Sequence, residues 1–261
     1  MNAFEFDNCS KLFHGDCLEG IKSIPNNSID VILTDPPYLY LKHKLDIPFD
    51  EVALFNEYKR VLKDKGFVVM FGRGTSFYRW NTLLADLNFV FKEEIIWNKR
   101  QSTSPVTPIS RLHETISIHT KKNGIINKKN RVPYLEVKGE SLKDMQADIK
   151  RLCTGLNNPK SLKLMLKYLD NVEKGEKIRC IDYANGVDYG KHHLTVRGTL
   201  IKPDQCVNLL MSITDGNKER SIVHVQREHF TMLHPTQKPV RLLERLLNLV
   251  VPAGSAGITV L

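Results

Sequence analysis

The residues of this chain with the clearest chemical content are Asp35-Pro36-Pro37-Tyr38, directly after an apolar stretch ending in Leu33-Thr34. The exocyclic amino group of adenine or cytosine is a poor nucleophile, because its lone pair is delocalised into the ring. A carboxylate accepting one of its N–H bonds, and a backbone carbonyl accepting the other, push that nitrogen toward a tetrahedral geometry able to attack a methyl donor. Asp35 has the type for the first role. Pro36 and Pro37 supply rigid carbonyls with no competing N–H. Tyr38 offers a ring on which a base can stack once it has left the duplex, as chemistry on a base requires. The competing reading is a plain turn, which Asp-Pro-Pro also makes. Placement favours chemistry, since open α/β sheets gather ligands at the carboxyl ends of their strands.

Those residues need a sheet to hold them. Short apolar runs alternate with helical patterns over the first 120 residues, which predicts a parallel sheet with crossover helices. Lys11–His14 reads as a strand, Leu18–Ile24 as a helix and Ser28–Leu33 as a buried strand. Val52, Phe55, Tyr58 and Leu62 recur at helical steps and predict a helix over Glu51–Lys63, with Gly66 as its C-cap. Phe67–Phe71 is a continuous apolar strand, and Thr75–Leu87 a second amphipathic helix. Phe89–Trp97 and Glu114–Thr120 read as strands joined by a Pro/Ser-rich loop over Ser102–Ser110. Farther on, helices are expected at Ser141–Leu152 and Lys160–Val172, then irregular or β-rich sequence from Lys177 to Ile213. Ser221–Val225 reads as a strand. An amphipathic helix begins at Val240, and Ile258–Leu261 reads as a last strand.

Charge is uneven along the chain. The net charge is +9. Residues 120–202 hold 18 Lys and Arg against 9 Asp and Glu, whereas the flanks are close to neutral. Such a stretch reads either as a polyanion-binding module or as a solvated, lysine-rich insertion. The five cysteines are scattered, which argues against a zinc site or a disulfide framework and for a reducing compartment. No apolar run approaches the roughly 18 residues of a membrane span, and the N-terminus lacks the pattern of a secretory signal. The expectation is a cytoplasmic protein with no membrane partner and no metal.

Further motifs surround the tetrapeptide: His14-Gly15-Asp16-Cys17-Leu18, Gly66-Phe67-Val68-Val69-Met70-Phe71, Glu93-Glu94-Ile95-Ile96-Trp97-Asn98-Lys99, Leu112-His113-Glu114 and His234-Pro235-Thr236-Gln237-Lys238-Pro239. Together they resemble the β-class amino-group DNA methyltransferases, which modify adenine N6 or cytosine N4. The resemblance covers residues 11–120 and 220–261. It implies an α/β fold: a Rossmann-like sheet of the S-adenosylmethionine-dependent methyltransferases, with an inserted basic target-recognition region. It divides the chain into a first part of the catalytic core over 1–120, the insertion over 121–220 and a second core part over 221–261. Carried over, Asp35 would hold the amino group and lie near the cofactor's methionine part, Tyr38 would stack on the flipped base, and Asp16 would approach the cofactor's adenine end. His234, Thr236 and Lys238 would bind the cofactor's carboxylate ahead of a helix N-terminus. For Asp16 the alternative is a helix N-cap, and for Lys238 a solvated charge. In the insertion, Arg131, Arg151, Arg179 and Arg197 are candidates for base or phosphate contacts.

One part of the family pattern is missing. After a strand matching Ile258–Leu261 the family has an Asp-Pro-Phe-x-Gly-x-Gly loop that wraps the cofactor's methionine, and the sequence stops before it. The expected sheet is therefore incomplete. Three explanations are open: a fragment of a longer protein (the favoured one), a homodimer or second chain that completes the cofactor site, and an inactive relative. The expected function is restriction-modification-type methylation of adenine N6 in double-stranded DNA. Methylation of cytosine N4 and a catalytically inactive DNA-binding protein are the alternatives. Cytosine-C5 chemistry is disfavoured, because no Pro-Cys pair supplies its nucleophile.

Overall fold

A computed structural model describes residues 2–5, 11–39, 46–100, 108–138, 141–174, 205–227, 233–234 and 236–251. The chain divides into two compact bodies, one of Met1–Asn130 with Glu219–Leu261, the other of Arg131–Lys218.

The first body is a mixed α/β layer structure. Its strands are β1 (Asn2–Glu5), β2 (Lys11–His14), β3 (Ile29–Thr34), β4 (Leu62–Gly72), β5 (Val90–Asn98), β6 (His113–Thr120) and β7 (Ile222–His224). Its helices are α1 (Cys17–Lys22), α2 (Glu51–Val61), α3 (Gly74–Asp86) and α8 (Val240–Val250); α4 to α7 belong to the second body. β1 and β2 form a separate antiparallel pair, and the main sheet has the order β3-β4-β6-β5-β7. β3 pairs parallel with β4 and β5 parallel with β7, while β6 runs antiparallel to both its neighbours. The uniformly parallel sheet expected from the alternating pattern is thus broken by one reversed strand. A hairpin-type pair such as β5 and β6 needs no crossover helix.

Side chains alternate across this sheet and build a core on each face. On one face Phe71, Ile95, Trp97, Ile116 and Ile118 pack under α8, which contributes Leu242, Leu246, Leu249 and Val250. On the other face Ile32, Val68 and Met70 pack under α2 and α3 with Phe55, Tyr58, Trp80 and Leu84. α8 is fixed further by Arg245, whose guanidinium makes hydrogen bonds of 2.9 and 2.7 Å to the two oxygens of Glu219. Both side chains are almost wholly buried. That pairing avoids the large cost of an isolated buried charge.

Several expectations change. Gly66 is no C-cap, because α2 ends at Val61 and β4 starts with Leu62. Gly66 lies within the strand, where a Cβ would come within 2.7 Å of Leu62 Cγ and 2.9 Å of the Asp30 carbonyl. Gly72 is likewise a close-approach glycine: a Cβ there would meet Phe77 at 2.2 Å, so α3 can lie on the strand end only with glycine below it. The proposed last strand Ile258–Leu261 and most of the Ser102–Ser110 loop lie outside the described residues.

The second body is helical: α4 (Tyr134–Lys138), α5 (Leu142–Leu156), α6 (Pro159–Glu173) and α7 (Gln205–Thr214). α7 corrects the irregular or β-rich reading of its residues; Lys177–Asp204 fall outside the description. Met165, Tyr168, Cys206 and Val207 form its core, and Gly155 lets α5 approach Cys206. Ser141 caps α5 by accepting from the Asp144 amide at 3.1 Å. The body takes 131–218, so Lys121, Lys122, Lys128 and Lys129 belong to the sheet body. Lys121 donates to the Leu62 carbonyl and Lys122 pairs with Asp64. Residues 131–218 hold 15 Lys and Arg against 11 Asp and Glu, and the rest of the chain 23 against 18, so the positive surplus is shared. Among the described residues no helix is long and apolar enough to cross a membrane.

His119 on β6 is 2% exposed, and its Nδ1 meets no hydrogen-bond partner among the described residues. Burial pushes it down from 6.5 to about 4. Between those values the unfolded chain takes up a proton that the folded chain refuses, so stability falls as pH drops through this window, by at most about 3 kcal/mol. Replacing His119 by Gln should flatten that part of the profile in urea unfolding run at pH 7 and pH 4.5. An equally steep loss in the variant contradicts the assignment.

Candidate active site

Reversing β6 has a consequence for chemistry. β3, β4 and β5 end at the same edge of the sheet, and β6, running the other way, begins there. One edge therefore gathers Asp35 after β3, Arg73 after β4, Lys99 after β5 and the opening residues His113 and Glu114 of β6. Arg73 closes part of it by donating to the His113 carbonyl at 3.0 Å.

The tetrapeptide is bound into this edge by its tyrosine. The Tyr38 hydroxyl donates to Asp35 Oδ1 at 2.7 Å and approaches Glu114 Oε2 at 3.3 Å. Its ring lies 6.2 Å from that of Trp80, tilted by 58°. Ser76, in the first turn of α3, donates from Oγ to the Tyr38 carbonyl at 2.6 Å. Leu39 follows with a positive φ of 60°, and its amide donates to Asp46 at 2.7 Å. A non-glycine residue in the left-handed region costs free energy that these contacts offset, so Tyr38 and Leu39 are held where they stand.

Lys238 reaches the same place from the opposite end of the sequence. It sits before α8, and its ammonium pairs with Asp35 Oδ2 and lies 3.3 Å from Glu114 Oε2. It also stands 5.0 Å from the centre of the Phe71 ring and 6.0 Å from that of Tyr38. A cation at a helix N-terminus is disfavoured by the helix dipole, so the carboxylates and the aromatic faces hold it there. Glu114 is paired twice, its Oε1 accepting from Lys99 Nζ at 3.1 Å. Its side chain is 14% exposed, that of Lys99 7% and that of Lys238 12%. Burial alone would raise the Glu114 carboxyl; Lys238 and then Lys99 outweigh it and keep the group below the ordinary carboxylate value.

The expected site residues divide in two. Asp35, Tyr38 and Lys238 come together, with Pro36 buried beneath the turn and Pro37 half-buried. Asp16 caps α1, its Oδ1 accepting from the Leu18 amide at 2.8 Å. His234 and Thr236 contact each other, with Thr236 Oγ1 3.0 Å from His234 Nδ1. Among the described residues no hydrogen bond or ion pair joins Asp16, His234 or Thr236 to the Asp35 cluster. Two members of the cluster, Glu114 and Lys99, had no role in the sequence reading. Both stand inside motifs of the sequence, but nothing near them in sequence marks their partners. Chemically, two carboxylates beside aromatic faces suit a small organic cation or N–H donors, and the lysines suit a carboxylate.

A family model for N6/N4 methyltransferases, described as DNA methylase, matches residues 29–256. Type II methyltransferase M.HinfI of Haemophilus influenzae is 33% identical over an alignment of 138 residues, covering 42% of this chain and 38% of that protein. Type II methyltransferase M.HpaI of Haemophilus parainfluenzae is 30% identical over 121 residues, with the same coverages. The chain thus spans well under half the length of these relatives. Among solved structures, an M1.HpyAVI–SAM complex is similar at 24% identity and a TM-score of 0.35, covering 46% of this chain and 60% of that one. PvuII DNA methyltransferase (cytosine-N4-specific) is similar at 19% identity and the same TM-score, covering 46% and 58%. Matched over most of its length by the family model, this chain belongs to the N6/N4 DNA methylase family.

Proposed function

We propose that the chain is a DNA methyltransferase that uses S-adenosylmethionine to methylate the N6 amino group of adenine at specific sites, in the cytoplasm of its host. The observation that carries this reading is the Asp35 carboxylate at the carboxyl edge of the sheet. One of its oxygens is held by Tyr38, and the other takes an N–H donor that Lys238 supplies in this structure. The donor set fits the cofactor: the Asp35 carboxylate and the Phe71 face for its cationic portion, Lys238 for its carboxylate.

When bound, S-adenosylmethionine supplies a methyl group on a positively charged sulfur, which keeps the S–C bonding pair and leaves as a neutral thioether. The protein's part is to make the amino nitrogen nucleophilic. Asp35 accepts one amino N–H and a carbonyl of the Pro36-Pro37 pair the other, drawing the lone pair out of the ring. As the N–C bond forms, positive charge on that nitrogen is balanced by Asp35, which accepts the proton the product amine must lose. Tyr38 fixes the carboxylate through its hydroxyl and offers its ring to the extruded base. Asp16 is assigned to the adenine end of the cofactor, and His234 and Thr236 to its carboxylate. Aspartate at the head of the tetrapeptide favours adenine over cytosine.

The helical body of 131–218 is assigned to target recognition, with Lys163 and Lys167 on the exposed side of α6 as phosphate contacts. Arg151 is held by Asp148 at 2.7 Å and is less available.

Incubating the chain with unmethylated DNA and methyl-labelled S-adenosylmethionine should yield labelled N6-methyladenine. Asp35→Ala should lower the rate by about a thousandfold or more, and Tyr38→Phe by roughly tenfold, through loss of the hydrogen bond that orients Asp35. Label recovered as N4-methylcytosine reassigns the base; no transfer by the wild-type chain refutes the activity.

Binding to a DNA duplex should also weaken steeply with salt. Neutralising about five phosphates gives a loss of roughly five-hundredfold between about 50 and 200 mM salt. Replacing Lys163 and Lys167 together by Gln should reduce the log–log slope by about 2. An unchanged slope removes this face of α6 from the interface.

A further inference from the structure

We infer that Glu114 is a positioning residue of this site: it holds Lys238 in reserve, so that Asp35 can exchange the lysine for the cationic part of the cofactor or the amino group of the base. The inference rests on the cofactor proposed above. It starts from the arrangement of three partners around one ammonium. Lys238 Nζ pairs with Asp35 Oδ2, stands 3.3 Å from Glu114 Oε2 and lies over the Phe71 ring at 5.0 Å. Asp35 together with Phe71 is therefore a cation site that the protein fills with its own side chain. A ligand cation that uses Asp35 must displace the lysine.

Lys238 is only 12% exposed, so the displaced ammonium cannot simply move into water. An uncompensated charge in such a place is expensive. Glu114 Oε2 removes that obstacle, since an ammonium has three donors and already stands between the two carboxylates. Lys99 has a separate part. It occupies the other oxygen, Oε1, at 3.1 Å, which leaves Oε2 turned toward Lys238 and the Tyr38 hydroxyl. Asp35, Glu114, Lys99 and Lys238 form a set in which a short shift of one ammonium changes which carboxylate is open. Glu114 touches neither the methyl group nor the base. It acts through Lys238.

The consequence is a charge-specific one. S-adenosylhomocysteine has the same carboxylate, ammonium and adenosine as S-adenosylmethionine and lacks the sulfonium charge. With Glu114→Gln the lysine has nowhere neutral to go and stays by Asp35, where it repels a sulfonium and little else. Calorimetric titration of the 261-residue chain with both compounds reads this directly. E114Q should weaken S-adenosylmethionine by about tenfold and S-adenosylhomocysteine by less than about threefold. K238M removes the competing cation and should move the ratio of the two affinities the other way, toward S-adenosylmethionine. A loss of packing alone would weaken both compounds alike. If E114Q fails to fold by circular dichroism, K238M decides alone. Either folded variant that leaves the ratio at its wild-type value overturns the inference while the cofactor assignment stands. A wild-type chain that binds neither compound overturns the assignment, and the inference with it.

Discussion

A carboxylate largely removed from water has to be neutralised where it stands, and the arrangement of this molecule turns on how Glu114 is neutralised. Lys99 arrives from the end of β5 and Lys238 from in front of α8, and between them they hold the group ionised in spite of its burial. Through Lys238 the same charge balance extends to Asp35, and through the Tyr38 hydroxyl it extends to the turn after β3. Remove one member and a neighbour is left charged and dry, which costs far more than an exposed ion pair contributes. The cluster is coupled for that reason, and its members should not behave additively.

The sheet explains why these groups meet. Parallel strands deliver their carboxyl ends to one edge, and by themselves they would bring together only the loops that follow them. The reversed β6 adds the start of a strand to that edge, so Glu114 is presented by regular, buried backbone instead of a loop. α8 then sits on the apolar face of Phe71, Trp97 and Ile116, fixed by the buried Arg245–Glu219 pair. Its position sets that of Lys238, which precedes it by one residue, Pro239. Packing far from the chemistry thus controls where one ammonium lies.

How much of this could be read from the sequence depends on range. Periodicity located β2, β3, α3, β5, β6 and α8 to within a few residues, because an amphipathic pattern is local and strong there. The DNA methylase family was legible from motifs dense enough to exclude chance, and Asp35, Tyr38 and Lys238 were singled out from them. The direction of β6 was not legible, since an apolar strand reads the same in both directions. Gly66 misled because a glycine after a helical pattern looks like a C-cap, while its reason for being there is a close approach to Asp30 and Leu62. α7 was missed because its flanking sequence hides its period. Glu114 was passed over for a physical reason: Lys238 is 124 residues away, and a buried ion pair leaves no local pattern. The charge surplus was legible as a count, but its assignment to one region was not; Lys121 and Lys122 belong with the sheet body and its Asp64.

On the inference drawn above, Asp35 and Phe71 form a cation site which Lys238 fills until a ligand takes it. The most direct measurement is a crystal structure of the chain with sinefungin, which carries an amine where S-adenosylmethionine carries its methylated sulfur. That amine is expected beside Asp35, with Lys238 drawn onto Glu114 and Lys99 still on the far oxygen of Glu114. Sinefungin bound elsewhere, or bound with Lys238 still paired to Asp35, would contradict it.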